Sequence, residues 1–315
     1  MIYRPSSGAQ VNKPQKRQNQ KGRSIRMSLD SLLDHGLPFN PALNQESRNS
    51  LAEKTHEPTL EVRSVPKANI TQQDVLMFLR TLPAESIDLI ITDPAYSGMN
   101  QHLLLGRGRI VGNYQEKGEN RWFEEFHDTP ENYGQFLSEC KRVLKNDRHL
   151  FLMFDSFSML SLGAMVRDFF NVKNIITWDK VNIGMGHYFR RQTEFILFAS
   201  KGKRPVTRRD IPDIWKIKRL YRASYPTQKP VELFEAMVAS SKAKSDTDFV
   251  VCDPFVGSGS SAIAALRQGS HFVGCDTSEI AVSLSRKRVD AFLKTGMDIE
   301  QEKPAFDEAI QKKFW

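Results

Sequence analysis

The sequence predicts an α/β protein built on a mostly parallel sheet with helices on both faces. Between residues 60 and 294, segments with the pattern of buried strands alternate with segments that have helical spacing, which is typical of doubly wound sheets. Two of the predicted strands are followed directly by turns rich in Asp, Pro and Gly. In a parallel sheet such turns lie at the carboxyl edge of the strands, where ligands bind.

The first half of this region is predicted to contain five strands and three helices. Helical spacing of Val75, Phe78, Leu79 and Leu82 predicts a helix over 70–83, and two further helices are predicted over 131–144 and 159–170. Residues 97–128 are polar and glycine-rich and predict a long mobile loop. The predicted strands are 59–65, Ile87–Thr92, 149–155, 171–179 and 192–200.

The second half of the region adds two strands and three helices, which brings the predicted sheet to seven strands. Pro230 is predicted to start the first of these helices, because its fixed φ suits a first helical turn. The predicted strands are 248–255 and 271–276, and the predicted helices are 230–241, 260–269 and 278–294.

Bulk composition excludes several classes of protein. The chain has 315 residues, of which 40% are hydrophobic, yet it lacks the run of about 18 apolar residues that a membrane span needs. Its first residues lack the apolar run of a secretory signal. The three cysteines, Cys140, Cys252 and Cys275, form no CxxC pair, so neither a disulfide framework nor a metal site is predicted. We expect a reduced, cytoplasmic protein without a membrane partner.

The positive charge is concentrated in two segments. The net charge is +8, but residues 1–26 hold seven Lys/Arg and no acidic residue, and residues 201–222 hold nine Lys/Arg and two acidic residues. The rest of the chain is therefore acidic overall. Clustered positive charge is what a polyanion-binding protein needs; the alternative is a solvated tail and a solvated loop.

A glycine turn follows the predicted strand at 248–255. It runs from Asp253 through Gly257 and Gly259 into a helix, and Asp276 ends the next strand, 19 residues after Gly257. Glycines allow a close backbone approach to a ligand, and a carboxylate at that distance accepts hydrogen bonds from ribose hydroxyls. The turn lacks a Walker lysine and the dinucleotide glycine pattern. A nucleoside without phosphate, such as S-adenosylmethionine, fits better. A plain helix-entry turn, with Asp276 as a helix cap, is the alternative.

The strand Ile87–Thr92 ends in Asp93-Pro94-Ala95-Tyr96. The exocyclic amine of adenine is a poor nucleophile, because its lone pair is delocalised into the ring. The Asp93 carboxylate and the Pro94 carbonyl can accept both amine hydrogens and free the lone pair, and positioning then allows in-line methyl transfer. Tyr96 offers a ring on which an extruded base can stack. An ordinary strand-ending turn is the alternative.

Together these motifs resemble the β class of amino-group DNA methyltransferases. The catalytic tetrapeptide comes first, the basic segment next and the cofactor turn last, which is the order of that class. Tyr225–Pro230 (YPTQKP) resembles the family's cofactor-side HPTQKP segment, and Trp178–Lys203 resembles its motif near the target-base pocket. The resemblance covers roughly residues 60–294. It implies a circularly permuted, Rossmann-like methyltransferase fold and S-adenosylmethionine as cofactor.

The resemblance also implies roles for individual residues. Asp93, Pro94 and Tyr96 would be catalytic, and Ala95 replaces the usual second proline. An Asp at the first position favours adenine N6 as the target over cytosine N4. The residues that would line the cofactor are Asp253, Phe255, Gly257, Gly259, Asp276, Thr227, Gln228 and Lys229.

The implied organisation has five segments. A basic arm at 1–58 precedes a catalytic half at 59–200, a target-recognition segment at 201–224, a cofactor-binding half at 225–300 and a tail at 301–315. Double-stranded DNA is the expected partner. The residues expected to contact it are Arg208, Arg209, Trp215, Lys216, Lys218, Arg219, Arg222, Arg107 and Arg109. Those expected as second choices in the base pocket are His187, Tyr188 and Phe189, with a core role equally open for Phe189.

Several alternatives stay open at this point. The short recognition segment favours low sequence specificity, because it leaves little room for base-reading side chains. Cytosine-N4 methylation, RNA amino-group methylation and an inactive DNA-binding module are the competing functions. A homodimer and a separate restriction nuclease are partners that the resemblance allows, although the sequence shows no interface and no nuclease signature.

Overall fold

A computed structural model describes residues 65–96, 126–184, 189–221, 223–225 and 227–300. All of them belong to one compact unit, Glu61–Trp315. The predicted arm at 1–58, the tail at 301–315 and the loop that carries Arg107 and Arg109 lie outside the described residues. So do His187, Tyr188, Arg222 and nearly all of the strand predicted at 59–65.

Eight strands form one sheet in the order β1-β8-β7-β2-β3-β5-β4-β6. Neighbouring strands are parallel except β5, which is antiparallel to both β3 and β4. The strands are β1 (Ala68–Gln72), β2 (Ile87–Thr92), β3 (Leu144–Phe154), β4 (Asn171–Asp179), β5 (Thr193–Ser200), β6 (Ile214–Lys216), β7 (Val250–Asp253) and β8 (His271–Asp276).

Seven α-helices connect the described strands. A 3₁₀ turn, Gly163–Met165, separates two of them, where the sequence predicted one continuous helix. The helices are α1 (Val75–Thr81), α2 (Pro130–Val143), α3 (Ser156–Leu162), α4 (Val166–Phe169), α5 (Val231–Ser241), α6 (Ser260–Arg267) and α7 (Glu279–Thr295). None of the helices within the described ranges is long and apolar enough to cross a membrane.

Side-chain caps set where several helices begin. The Asp74 carboxylate accepts hydrogen bonds from the first backbone N–H groups of α1, which would otherwise have no partner. Thr129 caps α2 in the same way, ahead of a proline at the first helical position, and Ser278 caps α7. The caps place the start of each helix at the carboxyl edge of the sheet.

Strand β2 forms the centre of the sheet and is buried along its whole length. Leu89 and Ile91 pack on one face with α5 and α6, and Ile90 packs on the other face with α1 and α2. At the start of the strand, Asp88 forms ion pairs with Lys145 and Arg148. A strand covered on both faces loses its alternation of polar and apolar residues, so its sequence could be assigned without ambiguity.

The sheet differs from the prediction at its two edges. Residues 70–72 form the end of β1, not the start of a helix, because the Asp74 cap delays α1 to Val75. At the opposite edge, three residues of the basic segment add the strand β6 beside β4. Within the described residues the sheet therefore has eight strands, where the sequence predicted seven, and β6 was missed because three residues are too few to show strand periodicity in a sequence.

Candidate active site

The two turns identified in the sequence lie side by side. Strands β2 and β7 are adjacent and parallel, so the Asp93–Tyr96 turn and the glycine turn both leave the carboxyl edge of the sheet. Thr92 joins them, because its Oγ1 donates a hydrogen bond to Asp253 Oδ1 at 2.9 Å. The chain continues from β2 towards β3 and from β7 towards β8. The turns therefore flank a topological switch point, the usual position of a ligand in such sheets.

A pocket of about 690 Å³ opens at this point, which is within the usual range of ligand sites. Both turns line it. Three segments that the sequence did not identify complete the wall: the start of α1 at 73–76, residues 126–127 with Asn132, and Phe234 of α5. Nothing in these segments has a spacing typical of a binding motif, so only the fold reveals them.

Both glycines of the cofactor turn are required by its geometry. Gly257 and Gly259 have φ angles of 51° and 84°, which side chains other than glycine rarely adopt. A Cβ on Gly259 would lie 2.9 Å from the Cβ of Ser285. The turn can therefore pack directly on α7 and start α6; Gly257 lines the pocket, whereas Gly259, also predicted beside the cofactor, is not among its lining residues.

Asp276 is held in place by the same turn. Its Oδ2 accepts a hydrogen bond from the backbone N–H of Gly257 and its Oδ1 accepts one from the N–H of Ser278, both at 2.9 Å. Each carboxylate oxygen has a further lone pair, and the side chain lines the pocket. Ser278, not Asp276, is the N-cap of α7. Asp276 is therefore placed to accept hydrogen bonds from a ligand, and its contact with ribose hydroxyls stays a prediction.

Asp253 lines the pocket, so its predicted contact with the cofactor stays a prediction, and its carboxylate also has a structural role. Thr92, Ser261 and the backbone N–H of Phe255 all donate hydrogen bonds to it. Burial raises the pKa of Asp253 to about 7 despite these donors. These hydrogen bonds let the carboxylate shape the turn, and Oδ2, which accepts one hydrogen bond from Ser261, keeps a lone pair.

The segment before α5 forms another wall. Tyr225 lies beside Gly257, with a ring carbon 3.5 Å from the position of a Cβ there. Thr227 has a φ of 60°, a strained angle for a branched residue. Gln228 Oε1 is buried without a hydrogen-bond partner among the described residues, and the residue lines the pocket. A buried acceptor without a donor is unfavourable, so it fits a ligand that donates.

Lys229 contacts the Asp93–Tyr96 turn and also lines the pocket, so its predicted place beside the cofactor stays a prediction. Its Nζ donates a hydrogen bond to Asp93 Oδ2 at 2.5 Å and lies 3.6 Å from Glu194 Oε2. Glu194, at the start of β5, was not predicted; its Oε1 also accepts a hydrogen bond from Lys180 at 2.9 Å. Two carboxylates and two lysines thus form a network next to the pocket.

Burial and charge oppose each other in this network. Burial raises the pKa of Asp93, and the Lys229 ammonium reduces but does not cancel the rise. Burial acts against the charge of Lys229, but the two carboxylates outweigh it and hold its pKa above the usual range. Burial likewise opposes the charge of Glu194, and the two lysines outweigh it and lower the pKa.

The other two members of the predicted catalytic set are more enclosed than expected. The Pro94 carbonyl accepts a hydrogen bond from the N–H of Tyr96 at 3.0 Å and keeps one lone pair for another donor. The Tyr96 ring is 1% exposed. It stacks on Phe154 with centroids 5.1 Å apart, and its hydroxyl donates to Met153 O. In this conformation the ring is a core side chain, which differs from the predicted open face for a base.

Aromatic rings do reach the pocket from other positions. Phe126 and Phe255 line it and pack edge to face, with centroids 5.6 Å apart. Phe126 N–H donates a hydrogen bond to the Ala95 carbonyl at 2.9 Å, which ties this ring to the catalytic turn. Phe189, a second-choice pocket residue, is fully exposed, so a core role for it is wrong.

The basic segment presents some of its predicted DNA contacts and buries another. Trp215 is 7% exposed and belongs to the core, where its Nε1 donates to Pro212 O; the predicted DNA contact is therefore corrected. Lys216 and Lys218, which follow Trp215 in the chain, are exposed. Arg209 is exposed and Arg219 is partly exposed, and Arg208 pairs with Asp210 at the surface.

Two kinds of chemistry lack support in the described part of the chain. Its three cysteines are buried, and burial raises their pKa values, so none is a ready nucleophile. No group of three His, Cys, Asp or Glu residues there could hold a metal ion. The site therefore offers acceptors for hydrogen bonds, a charged network and aromatic walls.

This arrangement defines a nucleoside-binding transferase with a permuted Rossmann-like fold. The chain matches the DNA methylase family over residues 87–287, and it belongs to that family. It is an S-adenosylmethionine-dependent DNA methyltransferase that acts on amino groups.

Individual relatives agree with this assignment. The Type II methyltransferase M2.DpnII of Streptococcus pneumoniae is 28% identical over 248 residues, covering 71% of this chain and 90% of its own. DNA adenine methyltransferase YhdJ of Escherichia coli K12 is 23% identical over 261 residues, covering 70% and 82%. The solved PvuII DNA methyltransferase, named as cytosine-N4-specific, aligns with a TM-score of 0.54 and 15% identity, covering 79% and 92%. That likeness shows the fold alone.

Proposed function

We propose that the chain methylates N6 of adenine in double-stranded DNA. The observation that carries this proposal is the position of Asp93 at the end of β2, with its side chain in the pocket wall and one carboxylate oxygen paired with Lys229. Within the described residues, no hydrogen bond reaches its other oxygen. The name of the relative YhdJ, a DNA adenine methyltransferase, gives independent support.

The pocket fits the cofactor of the family. Gly257 and Gly259 bring the backbone of the turn to the pocket, Asp276 offers carboxylate lone pairs, and the buried Gln228 Oε1 needs a donor. Phe255 adds an aromatic wall. These residues, with Thr227, would hold S-adenosylmethionine, which supplies an electrophilic methyl group. Asp253 and Lys229, in contrast, act on the shape and charge of the site.

Two hydrogen-bond acceptors of the protein then act on the target amine. Asp93 Oδ1 and the remaining lone pair of the Pro94 carbonyl can each accept one hydrogen of an exocyclic amine. Holding both hydrogens favours tetrahedral geometry at nitrogen and positions its lone pair for in-line transfer. The methylated nitrogen must then lose one proton, and the Asp93 carboxylate is the adjacent base.

Access of a base to this pocket requires that the nucleotide leave the duplex. The exposed basic side chains of the 201–224 segment, including Lys216 and Lys218, are proposed to bind the DNA backbone, since phosphate contacts position a protein without reading sequence. The segment is short, and we therefore propose low sequence specificity. Mapping of the methylated sites tests this proposal of low specificity. A recognition sequence of four or more defined bases at every modified site would contradict it.

Cytosine-N4 methylation is the second candidate, because the PvuII enzyme shares the fold. The two are separated by incubating the protein with S-adenosylmethionine and unmethylated DNA, digesting the DNA to nucleosides and identifying the product by mass spectrometry. We expect N6-methyladenosine in its deoxy form. N4-methyldeoxycytidine as the main product would overturn the proposal, and a parallel reaction with RNA tests that substrate.

A further inference from the structure

Three chain segments bring charged groups together beside the pocket. Asp93 follows β2, Glu194 lies at the start of β5 and Lys229 precedes α5. Because β5 is antiparallel to its neighbours, its first residues lie at the same edge of the sheet as the last residues of β2. Lys229 lies between the two carboxylates, 2.5 Å from one and 3.6 Å from the other.

Both the side chain and the backbone of Lys229 are held in position by neighbouring residues. Its side chain is 9% exposed, so the ammonium is largely removed from water. Its backbone carbonyl accepts a hydrogen bond from Ser260 Oγ at 2.8 Å, and Ser260 is the first residue of α6. A buried charge is tolerated only when paired, and Asp93 and Glu194 supply that pairing.

Other charged groups also face Asp93 and must be included in any account of its protonation. Asp155, which follows β3, and Glu194 both disfavour the ionised form of Asp93. Asp253 on the glycine turn also interacts with it, as does Tyr96, whose pKa burial raises far above its usual value. Lys229 is the one cation among these interacting groups in the described structure, and Lys180 neutralises Glu194 from the opposite side.

We propose that Lys229, held in place by Glu194, is a positioning residue of the methyl transfer, which keeps Asp93 ionised and leaves its second oxygen for the target amine. This inference rests on the proposed function. An ionised carboxylate accepts a hydrogen bond from the amine before transfer. After the nitrogen–carbon bond forms and the sulfur–carbon bond breaks, the same carboxylate takes the surplus proton from nitrogen and later releases it to water.

The alternative is that Lys229 binds the cofactor directly. The two roles predict different effects of Lys229→Met, which removes the charge and keeps a long side chain. A positioning role predicts that the pKa of Asp93 rises in this variant, because a close opposite charge lowers a carboxyl pKa by about one unit or more. The acid limb of the pH profile of the single-turnover rate should therefore move to higher pH by about that amount. The Kd for S-adenosylmethionine should stay within threefold of wild type.

Two further variants test the direction of the pKa shift of Asp93. Glu194→Gln removes a negative neighbour of Asp93, so the pKa of Asp93 should fall and the acid limb should move the opposite way. Lys229→Arg keeps the charge and should restore most of the wild-type profile. As a matched control, Lys145→Met breaks another lysine–aspartate pair, with Asp88 at the far end of β2. It should leave the pH profile unchanged.

Titration of the ¹³C-labelled Asp carboxylates by NMR, with Asp93 assigned from Asp93→Asn, measures the same pKa shifts without turnover. Opposite shifts in Lys229→Met and Glu194→Gln are the expected result. An unchanged Asp93 pKa in Lys229→Met, with a tenfold or larger rise in the cofactor Kd, would overturn the inference. If wild type methylates no adenine, the proposed function fails while the NMR titration still decides the role of Lys229.

Discussion

A buried ion pair behind the cofactor turn yields the most quantitative prediction. Arg288 and Asp298 are both buried and form a bidentate pair, with two N···O distances of 2.6 Å. The third donor position of the guanidinium, Nη1, contacts the Ser258 carbonyl and the Ser260 hydroxyl, each at 3.1 Å. The pair therefore stabilises α7 and also fixes the turn that faces the pocket.

The substitution Arg288→Met removes the cation and keeps an apolar side chain of related length. It leaves the Asp298 carboxylate with the backbone N–H of Glu300 as its remaining donor, at 3.2 Å, and removes the guanidinium donor of the Ser258 carbonyl. Breaking a buried pair in this way costs about 3–5 kcal/mol, and we expect the free energy of unfolding to fall by that amount. Urea denaturation followed by circular dichroism measures this change; a loss below 1 kcal/mol would show that the buried pair contributes little to stability.

The double variant Arg288→Met, Asp298→Leu separates stability from function. With both charges removed, no unpaired ion remains buried, so much of the lost stability should return. The donors to Ser258 and Ser260 are still absent, so the Kd for S-adenosylmethionine should stay raised. Recovery of both stability and wild-type cofactor affinity would show that the pair does not position the turn.

The same pair predicts a pH dependence. Burial opposes the charge of Asp298, but the Arg288 guanidinium outweighs it and lowers the pKa of Asp298 below its usual value. A folded-state pKa below the unfolded one contributes stability that is present above the unfolded value and is lost as the pH falls through the folded value. Wild type should therefore lose this contribution in acid, and the double variant should show a flatter profile.

Two further predictions concern the cofactor turn and the basic segment. Gly259→Ala should weaken cofactor binding and lower stability by about 1–2 kcal/mol from the left-handed backbone alone, and the clash with Ser285 adds to this loss. Calorimetry measures the cofactor Kd and urea denaturation measures the stability. An unchanged Kd would contradict the assigned geometry of the turn. Trp215→Ala should lower stability by about 3–5 kcal/mol. Lys216→Ala or Lys218→Ala should leave stability unchanged and reduce the slope of log K against log salt concentration for DNA binding by about one. Fluorescence anisotropy at several salt concentrations measures this slope.

The sequence was sufficient to predict the centre of the sheet and the two turns. Ile87–Thr92 was assigned with its observed bounds, because a strand buried on both faces is apolar throughout. The turns could be placed together because the carboxyl ends of parallel strands share one edge. Both of these inferences depend on local pattern and on topology rules, without reference to packing.

The features that the sequence could not predict depend on packing between distant segments. Glu194 reaches Lys229 only because β5 is antiparallel, which no local pattern showed. Trp215 lies in a segment whose composition is typical of nucleic-acid contacts, but its side chain is buried in the core, where β6 pairs with β4. Tyr96 has the residue type of a stacking platform, yet its ring packs on Phe154, and ring orientation is decided by neighbours distant in sequence.

The proposed role of Asp93 is to act on the target amine and not on the cofactor. The most direct measurement compares wild type, Asp93→Ala and Asp93→Asn in single-turnover methyl transfer to unmethylated DNA, with the Kd for S-adenosylmethionine measured for each protein. We predict that Asp93→Ala loses transfer by at least 100-fold, an effect on the scale of general-base catalysis, while its cofactor Kd stays within threefold of wild type. Transfer at a near wild-type rate in Asp93→Ala would contradict the account.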